Sequence, residues 1–186
     1  LKAYVYVMAD LINVSARAAV DLLRSRELSP LELIDAAISR IETTDGSLNA
    51  LPTLCIDRAR EHAKRITEDH KSAVEQNPSW LGGLPIAIKD LNDVAGVRTT
   101  YGSPLFADHI PERSDVMVET LEANGAIVIG KSNTPEFEAG ASTFNEVFGI
   151  TKNPWNTQKS TAGSSGGAAA SVATGMAFIA QGSDFA

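Results

Sequence analysis

Three short segments of this sequence carry residue types whose chemistry packing alone does not explain. Gly83-Leu84-Pro85-Ile86-Ala87-Ile88-Lys89-Asp90 places a lysine at the end of an apolar run that reads as a strand buried on both faces. Burial disfavours an ammonium, so a lysine in such a place can act as a neutral base. The plainer alternative is a surface lysine paired with Asp90. Thr161-Ala162-Gly163-Ser164-Ser165-Gly166-Gly167 sets a serine pair among glycines, and from 163 to 175 every residue is Gly, Ala or Ser apart from Val172 and Thr174. Glycines admit a substrate to the backbone, and a helix starting there would offer N–H groups to an anion or a polarised carbonyl. A flexible linker or an ordinary N-cap would use the same residues. Gly182-Ser183-Asp184-Phe185-Ala186 makes another small, polar turn directly after the next apolar run. The two turns are expected at neighbouring positions of one sheet.

Other patterns fail on context. Gly125-Ala126-Ile127-Val128-Ile129-Gly130-Lys131-Ser132 matches the G-x-x-x-x-G-K-[ST] phosphate loop letter for letter. In a true phosphate loop the strand precedes the first glycine, whereas here the four intervening residues are themselves the strand, and Pro135 follows too soon for a long helix. His62 and His70 fall on a polar helix beside Glu61 and Asp69, His109 reads as a loop residue, and no G-x-S-x-G elbow is present to receive a histidine. No His, Cys or acidic cluster has metal-ligand spacing.

The elements that must position the three segments follow from periodicity. Residues 15–26 carry Ala19, Val20, Leu22 and Leu23 at helical spacing. Ser29-Pro30-Leu31-Glu32 combines an N-cap serine, a proline at the first helical position and a glutamate three residues on, opening a helix that buries Ile34, Ala37, Ile38 and Ile41 until Asp45-Gly46. A strand over 48–55 and a charge-rich helix over 56–75 are expected next, then a junction at Asn77-Pro78-Ser79 and Gly82-Gly83. Beyond it, 84–88 reads as a buried strand, 115–123 as a helix capped by Ser114, and 126–129 as a second strand, which makes a parallel pair with a crossover. The small-residue stretch suits a helix packed very closely on the sheet, and 176–180 is a last apolar run.

Composition bounds the rest. The 186 residues are 44% apolar and 21% charged, ordinary for a globular protein, and 16 Lys plus Arg against 23 Asp plus Glu give a net charge of −7. That balance, with no dense basic run, argues against nonspecific binding to nucleic acid. The lone Cys55 forms no internal disulfide and suits a reducing compartment. The apolar Tyr4-Val5-Tyr6-Val7-Met8 patch is far shorter than the roughly 20 residues that cross a bilayer.

With these segments in hand, the sequence resembles the amidase signature family. The resemblance rests on Gly83 to Asp90, on Gly130-Lys131-Ser132-Asn133-Thr134-Pro135-Glu136-Phe137, on Asn153-Pro154-Trp155-Asn156, on Ala162-Gly163-Ser164-Ser165-Gly166-Gly167 and on Gly182 to Ala186, in the family's order. Ala162 replaces the first glycine of the usual serine motif. The resemblance implies an α/β fold with a mixed, mostly parallel sheet covered by helices. It implies an N-terminal helical region over 1–78 and, over 79–186, the first part of a catalytic core.

The resemblance also implies a Ser-Ser-Lys triad. Lys89 would be the general base, and Ser164, entered through a cis peptide bond that Gly163 eases, would relay the proton. The nucleophilic serine is expected just beyond Ala186. Backbone N–H groups of the turn holding Phe185 and Ala186 would form the oxyanion hole, with Ser165, Asp184 and Gly163 completing the substrate-binding surroundings. Ser183 matches a family position upstream of the nucleophile and is not assigned its role. The expected function is hydrolysis of a carbon–nitrogen amide bond in a small-molecule substrate through an acyl-enzyme, without cofactor or metal, in the cytoplasm. The partners expected are a second copy of the chain or amidotransferase subunits, with no direct nucleic-acid or membrane contact. The alternatives are the glutaminase-type component of a tRNA-dependent amidotransferase and a noncatalytic amidase-like protein. The 186 residues alone are expected to be inactive and poorly folded.

Overall fold

The structure is a computed structural model and describes residues 11–69 and 77–184. Helix α1, Ala16–Ser25, starts at Ser15, whose hydroxyl accepts the Ala18 N–H, and stops at Arg26 in the left-handed conformation. Helix α2, Pro30–Thr44, opens on the anticipated capping box: Ser29 Oγ accepts from Glu32 N at 3.2 Å while Glu32 Oε2 accepts from Ser29 N at 2.9 Å. Its Leu33, Ile34, Ala37 and Ile41 are buried. Helix α3, Ile56–Glu68, buries Ala59, Ala63 and Ile66 at spacings of four and three, and 70–76, where the expected helix would continue, lie outside the described residues.

The strand expected over 48–55 shrinks to β1, Thr53–Leu54. Its earlier part cannot join a ladder because the Asp45 carboxylate takes the N–H groups of Ala50 and Leu51, at 2.7 and 3.1 Å. The next elements are β2, Pro85–Lys89; α4, Val116–Ala123; and β3, Ile127–Ser132. Ser114 does not cap α4 as expected. Its hydroxyl accepts from Ala95 N, and Asp115 stands at the N-cap with its carboxylate turned to Asn92 and Asp93. Strand β3 runs further than the expected 126–129 and takes in Gly130, Lys131 and Ser132, all buried, which leaves no loop at the phosphate-loop pattern.

Beyond β3 come two small hairpins, β4 (Phe144–Asn145) with β5 (Gly149–Ile150) and β6 (Lys152–Asn153) with β7 (Asn156–Ser160). Helix α5, Gly166–Ala173, and β8, Ile179–Ala180, close the described part. The main sheet has the order β1-β3-β2-β8, with β2 parallel to both β3 and β8 and β1 antiparallel to β3. This is the mixed, mostly parallel sheet with helical cover that the sequence led us to expect.

Two apolar clusters sandwich the sheet. Ala87, Ile127 and Ile129 belong to the larger one with α1, α2, α3 and α5, while Ile86, Ile88 and Val128 belong to the other with Val94, Val97 and Val118. Strand alternation therefore sends Lys89, two residues after Ala87, to the face that α5 covers. On β3 the alternation breaks. Ile86 pairs with Val128 but Ala87 pairs with Gly130, so Ile129 is an extra residue. After this bulge Lys131 lies opposite Ile88 and on its face, away from Lys89.

Candidate active site

Lys89 is the last residue of β2, and its side chain is wholly buried. Its Nζ lies 2.7 Å from Ser164 Oγ, 3.1 Å from Ser165 Oγ and 2.7 Å from Ser183 Oγ, and it is ion-paired with the Glu138 carboxylate. Two segments that the sequence set apart thus meet at one amine, and the turn after β8 joins them through Ser183. The plainer alternatives do not occur: Asp90 pairs with Lys131 and not with Lys89, and Ser165, at the N-cap of α5, makes no side-chain capping bond.

The serine turn is fixed from several directions. The Gly163–Ser164 peptide bond is cis. Ala162, where the resemblance has glycine, adopts φ +60°, a conformation that costs an L-residue about 1–2 kcal/mol. Thr143, buried in the loop before β4, receives the Gly166 N–H at 2.9 Å and donates to Ala162 O at 3.0 Å. Ser165 Oγ accepts the Ser183 N–H at 3.1 Å and so ties the two turns together. Gly167 packs so closely on the end of β3 that an added Cβ would lie 2.4 Å from Asn133 N and 2.7 Å from both Asn133 O and Ala50 O.

Beside this cluster lies a cavity of about 380 Å³ lined by Glu138, Gly163, Ser164, Ser183 and Asp184, among others. Gly163, Ser164, Ser165 and Asp184 are therefore at or beside the cavity, whereas Phe185 and Ala186 lie outside the described residues. Sequence reasoning missed Thr143 and Glu138. Thr143 sits in an irregular polar loop with no periodicity to mark it. Glu138 follows a resembling motif, but nothing in its spacing points toward a strand end about fifty residues earlier.

Charge is unevenly managed here. Burial works against the ionised Glu138 carboxyl, yet hydrogen bonds from Lys89 and Ser183 and the lysine charge outweigh it and hold the group below the ordinary carboxylate range. On the opposite face Lys131 Nζ, also wholly buried, contacts Asp90 Oδ1 at 3.4 Å and donates to Asn92 O and Thr99 Oγ1, each at 2.7 Å. Burial pushes the Asp90 carboxyl up, against Lys131 and two bonds from Thr100, and burial pulls the Lys131 ammonium down, against Asp90. Burial also raises the Cys55 thiol to about 11. Among the described residues no group of three or more His, Cys, Asp or Glu is placed to hold a metal ion, and no helix is long and apolar enough to cross a membrane.

Fold and site together define an α/β protein in which hydroxyls from two turns gather on one buried amine at the carboxyl end of a parallel strand. The Amidase family profile matches residues 32–186, and the chain belongs to that family, the amidase signature enzymes. Among its relatives, the A-type chain of glutamyl-tRNA(Gln) amidotransferase from Anaeromyxobacter dehalogenans is 39% identical over 94% of this chain and 35% of its own length. Its namesake from Prochlorococcus marinus is 43% identical over 87% of this chain and 33% of its own. The solved structure of a bacterial aryl acylamidase of the amidase signature family superposes with a TM-score of 0.79, at 31% identity, over 88% of this chain and 34% of the other. The chain thus spans about a third of the length of the relatives it matches.

Proposed function

We propose that the protein cleaves a carbon–nitrogen amide bond through a serine nucleophile activated by Lys89 and Ser164. In this reading 79–186 supply the first part of the catalytic core and 1–78 a helical region. The observation that carries it is the wholly buried Lys89 amine, 2.7 Å from Ser164 Oγ beside an open cavity. As a neutral amine, Lys89 draws a proton through the Ser164 hydroxyl from the nucleophile, which adds to the amide carbonyl. The tetrahedral species expels the amine to leave an acyl-enzyme, and water then releases the acid. Backbone N–H groups of the turn after Gly182 receive the developing oxyanion.

The nucleophile is assigned to none of Ser164, Ser165 and Ser183, because all three already bond the Lys89 amine directly and a relayed proton needs a further donor. The test is labelling of the full-length protein with a fluorophosphonate, followed by mapping of the modified serine. The expected label lies on a serine other than these three and is lost in Lys89→Ala and in Ser164→Ala. Full labelling in either variant, or a label on Ser183, would overturn the assignment.

A second reading, as the glutaminase-type component of a tRNA-dependent amidotransferase, is favoured by the 39–43% identity to relatives that carry the amidotransferase name. In it the amine expelled is ammonia from glutamine, delivered to a partner protein. Ammonia release from glutamine that rises with a copurifying partner and charged tRNA would select it. Hydrolysis of simple carboxamides by the unaccompanied protein would select the hydrolase.

A further inference from the structure

The Lys89 amine faces four oxygens: Ser164 Oγ, Ser165 Oγ, Ser183 Oγ and a Glu138 carboxylate oxygen. An ammonium has three protons to share among them and no lone pair. A base that accepts a proton from Ser164 must instead turn a lone pair toward that hydroxyl. Glu138 is the anion among these partners, and an opposite charge in contact with an amine favours its charged form.

Glu138 is held at the amine by unusual backbone. It ends a short 3-10 turn, Glu136–Glu138, in which Phe137 and Glu138 both have positive φ, +46° and +62°. Two successive non-glycine residues in that region each carry a steric cost, and such outliers persist where the surroundings enforce them. Here Phe137 N donates to Tyr101 O, Glu138 N to Pro135 O and Gly140 N to Glu138 O, at 2.8, 3.0 and 2.8 Å. The Ser183 hydroxyl, itself 2.7 Å from the amine, donates to the same Glu138 oxygen at 2.5 Å and closes a triangle with Lys89 that fixes the carboxylate. Since the lysine and its hydrogen bonds hold the Glu138 carboxyl ionised, the carboxylate in turn favours the ammonium.

We propose that Glu138 is a positioning residue that locks Lys89 as the ammonium and so sets the pH above which Lys89 can accept the Ser164 proton. The proposal rests on the role given to Lys89 and Ser164 above. Opening the lock breaks one N–H bond of the ammonium, releases that proton to water in the cavity and leaves the lone pair facing Ser164 Oγ. The other charges nearby are Asp184, which lines the cavity, Glu136 in the same turn, and the Asp90–Lys131 pair on the other face of β2. Glu138 is the carboxylate in direct contact with the amine.

The experiment is the pH dependence of fluorophosphonate labelling of the full-length protein, which needs no knowledge of the natural substrate. Glu138→Gln and Glu138→Gly are both expected to move the acidic limb of the rate profile to lower pH, by roughly 1–3 units for loss of a contacting opposite charge. One unit below the wild-type midpoint the variants should label about 5- to 10-fold faster than wild type. Glycine suits the positive φ at 138, so that variant keeps the turn even if glutamine disturbs it, and thermal melting verifies that both are folded. A limb that stays in place or moves to higher pH in both folded variants overturns the proposal, as does loss of labelling at every pH. Lys89→Met separates the two levels: if it labels like wild type, the base assignment falls and the lock with it. A silent Lys89→Met with an unmoved limb in the Glu138 variants sinks the lock alone.

Discussion

Replacing Gly167 by alanine tests whether close contact between α5 and the end of β3 sets the geometry of the serine turn. The new Cβ would stand 2.4 Å from Asn133 N, whereas real Cβ contacts essentially never fall below 3.0 Å and are ordinary from 3.4 Å. The helix must therefore withdraw by at least 3.0 − 2.4 = 0.6 Å, and by 3.4 − 2.4 = 1.0 Å for comfort. All three nearest atoms belong to backbone, so no rotamer change relieves the clash. Ser164 and Ser165 immediately precede this helix. A retreat of that size along the Lys89 to Ser164 direction stretches their 2.7 Å contact to between 3.3 and 3.7 Å, beyond useful hydrogen-bond length.

Two terms compete in stability. Alanine gains about 1 kcal/mol of helix propensity over glycine, while overpacking costs about 1–3 kcal/mol. Because the obstacle is backbone on two segments, the cost is expected to prevail, by roughly 1–2 kcal/mol. For the chemistry, a displacement near 1 Å at a positioned group lowers rate on the order of 10²-fold. The assay pairs thermal melting with the rate of fluorophosphonate labelling in the full-length protein. Gly46→Ala, where a Cβ meets nothing within 4 Å, is the control and should change neither quantity. A Gly167→Ala protein that melts at or above the wild-type temperature and labels at the wild-type rate would refute the argument from contact distance.

Three further outcomes are expected. Lys131→Met leaves the Asp90 carboxylate buried without its cation and should destabilise the protein by about 3–5 kcal/mol, measured by urea unfolding, whereas an exposed pair such as Arg17 with Asp21 should tolerate Arg17→Met almost without effect. Thr143→Val removes the hydroxyl that receives the Gly166 N–H, and a cost of about 1–3 kcal/mol together with slower labelling is expected; unchanged labelling would argue that the loop does not hold the turn. For Cys55, a shift from 9.0 to about 11 lowers the thiolate fraction at pH 8 by about 100-fold, so iodoacetamide should modify its peptide about 100-fold more slowly in the native than in the urea-unfolded protein, and equal rates would contradict the burial.

What could be read from sequence followed local rules. The capping box at Ser29 and Glu32, the apolar run ending in Lys89 and the glycine-flanked serines each depend on neighbours a few residues away, and the sheet they imply is the one observed. Failures came where distant groups claimed a local one. The 48–55 strand gave way to a carboxylate that took its N–H groups, and the Ser114 cap gave way to Ala95. The contact of Glu138 with Lys89 depends on two positive φ values at non-glycine residues, which propensity disfavours and long-range bonding enforces. Thr143 gained its place through the fold of a loop whose sequence has no periodic signal.

The extra residue in β3 acts as a frame marker for the two buried lysines. Ile129 shifts the count by one, so that Lys131 faces Asp90 and leaves Lys89 as the amine on the serine face. If Ile129 were instead drawn into the ladder, strict alternation would set Lys131 opposite Lys89 and turn it toward α5, setting two amines against the hydroxyls that now serve one and stranding Asp90. Substitutions at Ile129 that keep the bulge preserve the separation, and loss of that one residue would leave Gly130 opposite Ala87 and Lys131 opposite Ile88 as they are now. The unpaired state of this one residue, more than the identity of its side chain, is what keeps the two lysines on separate faces.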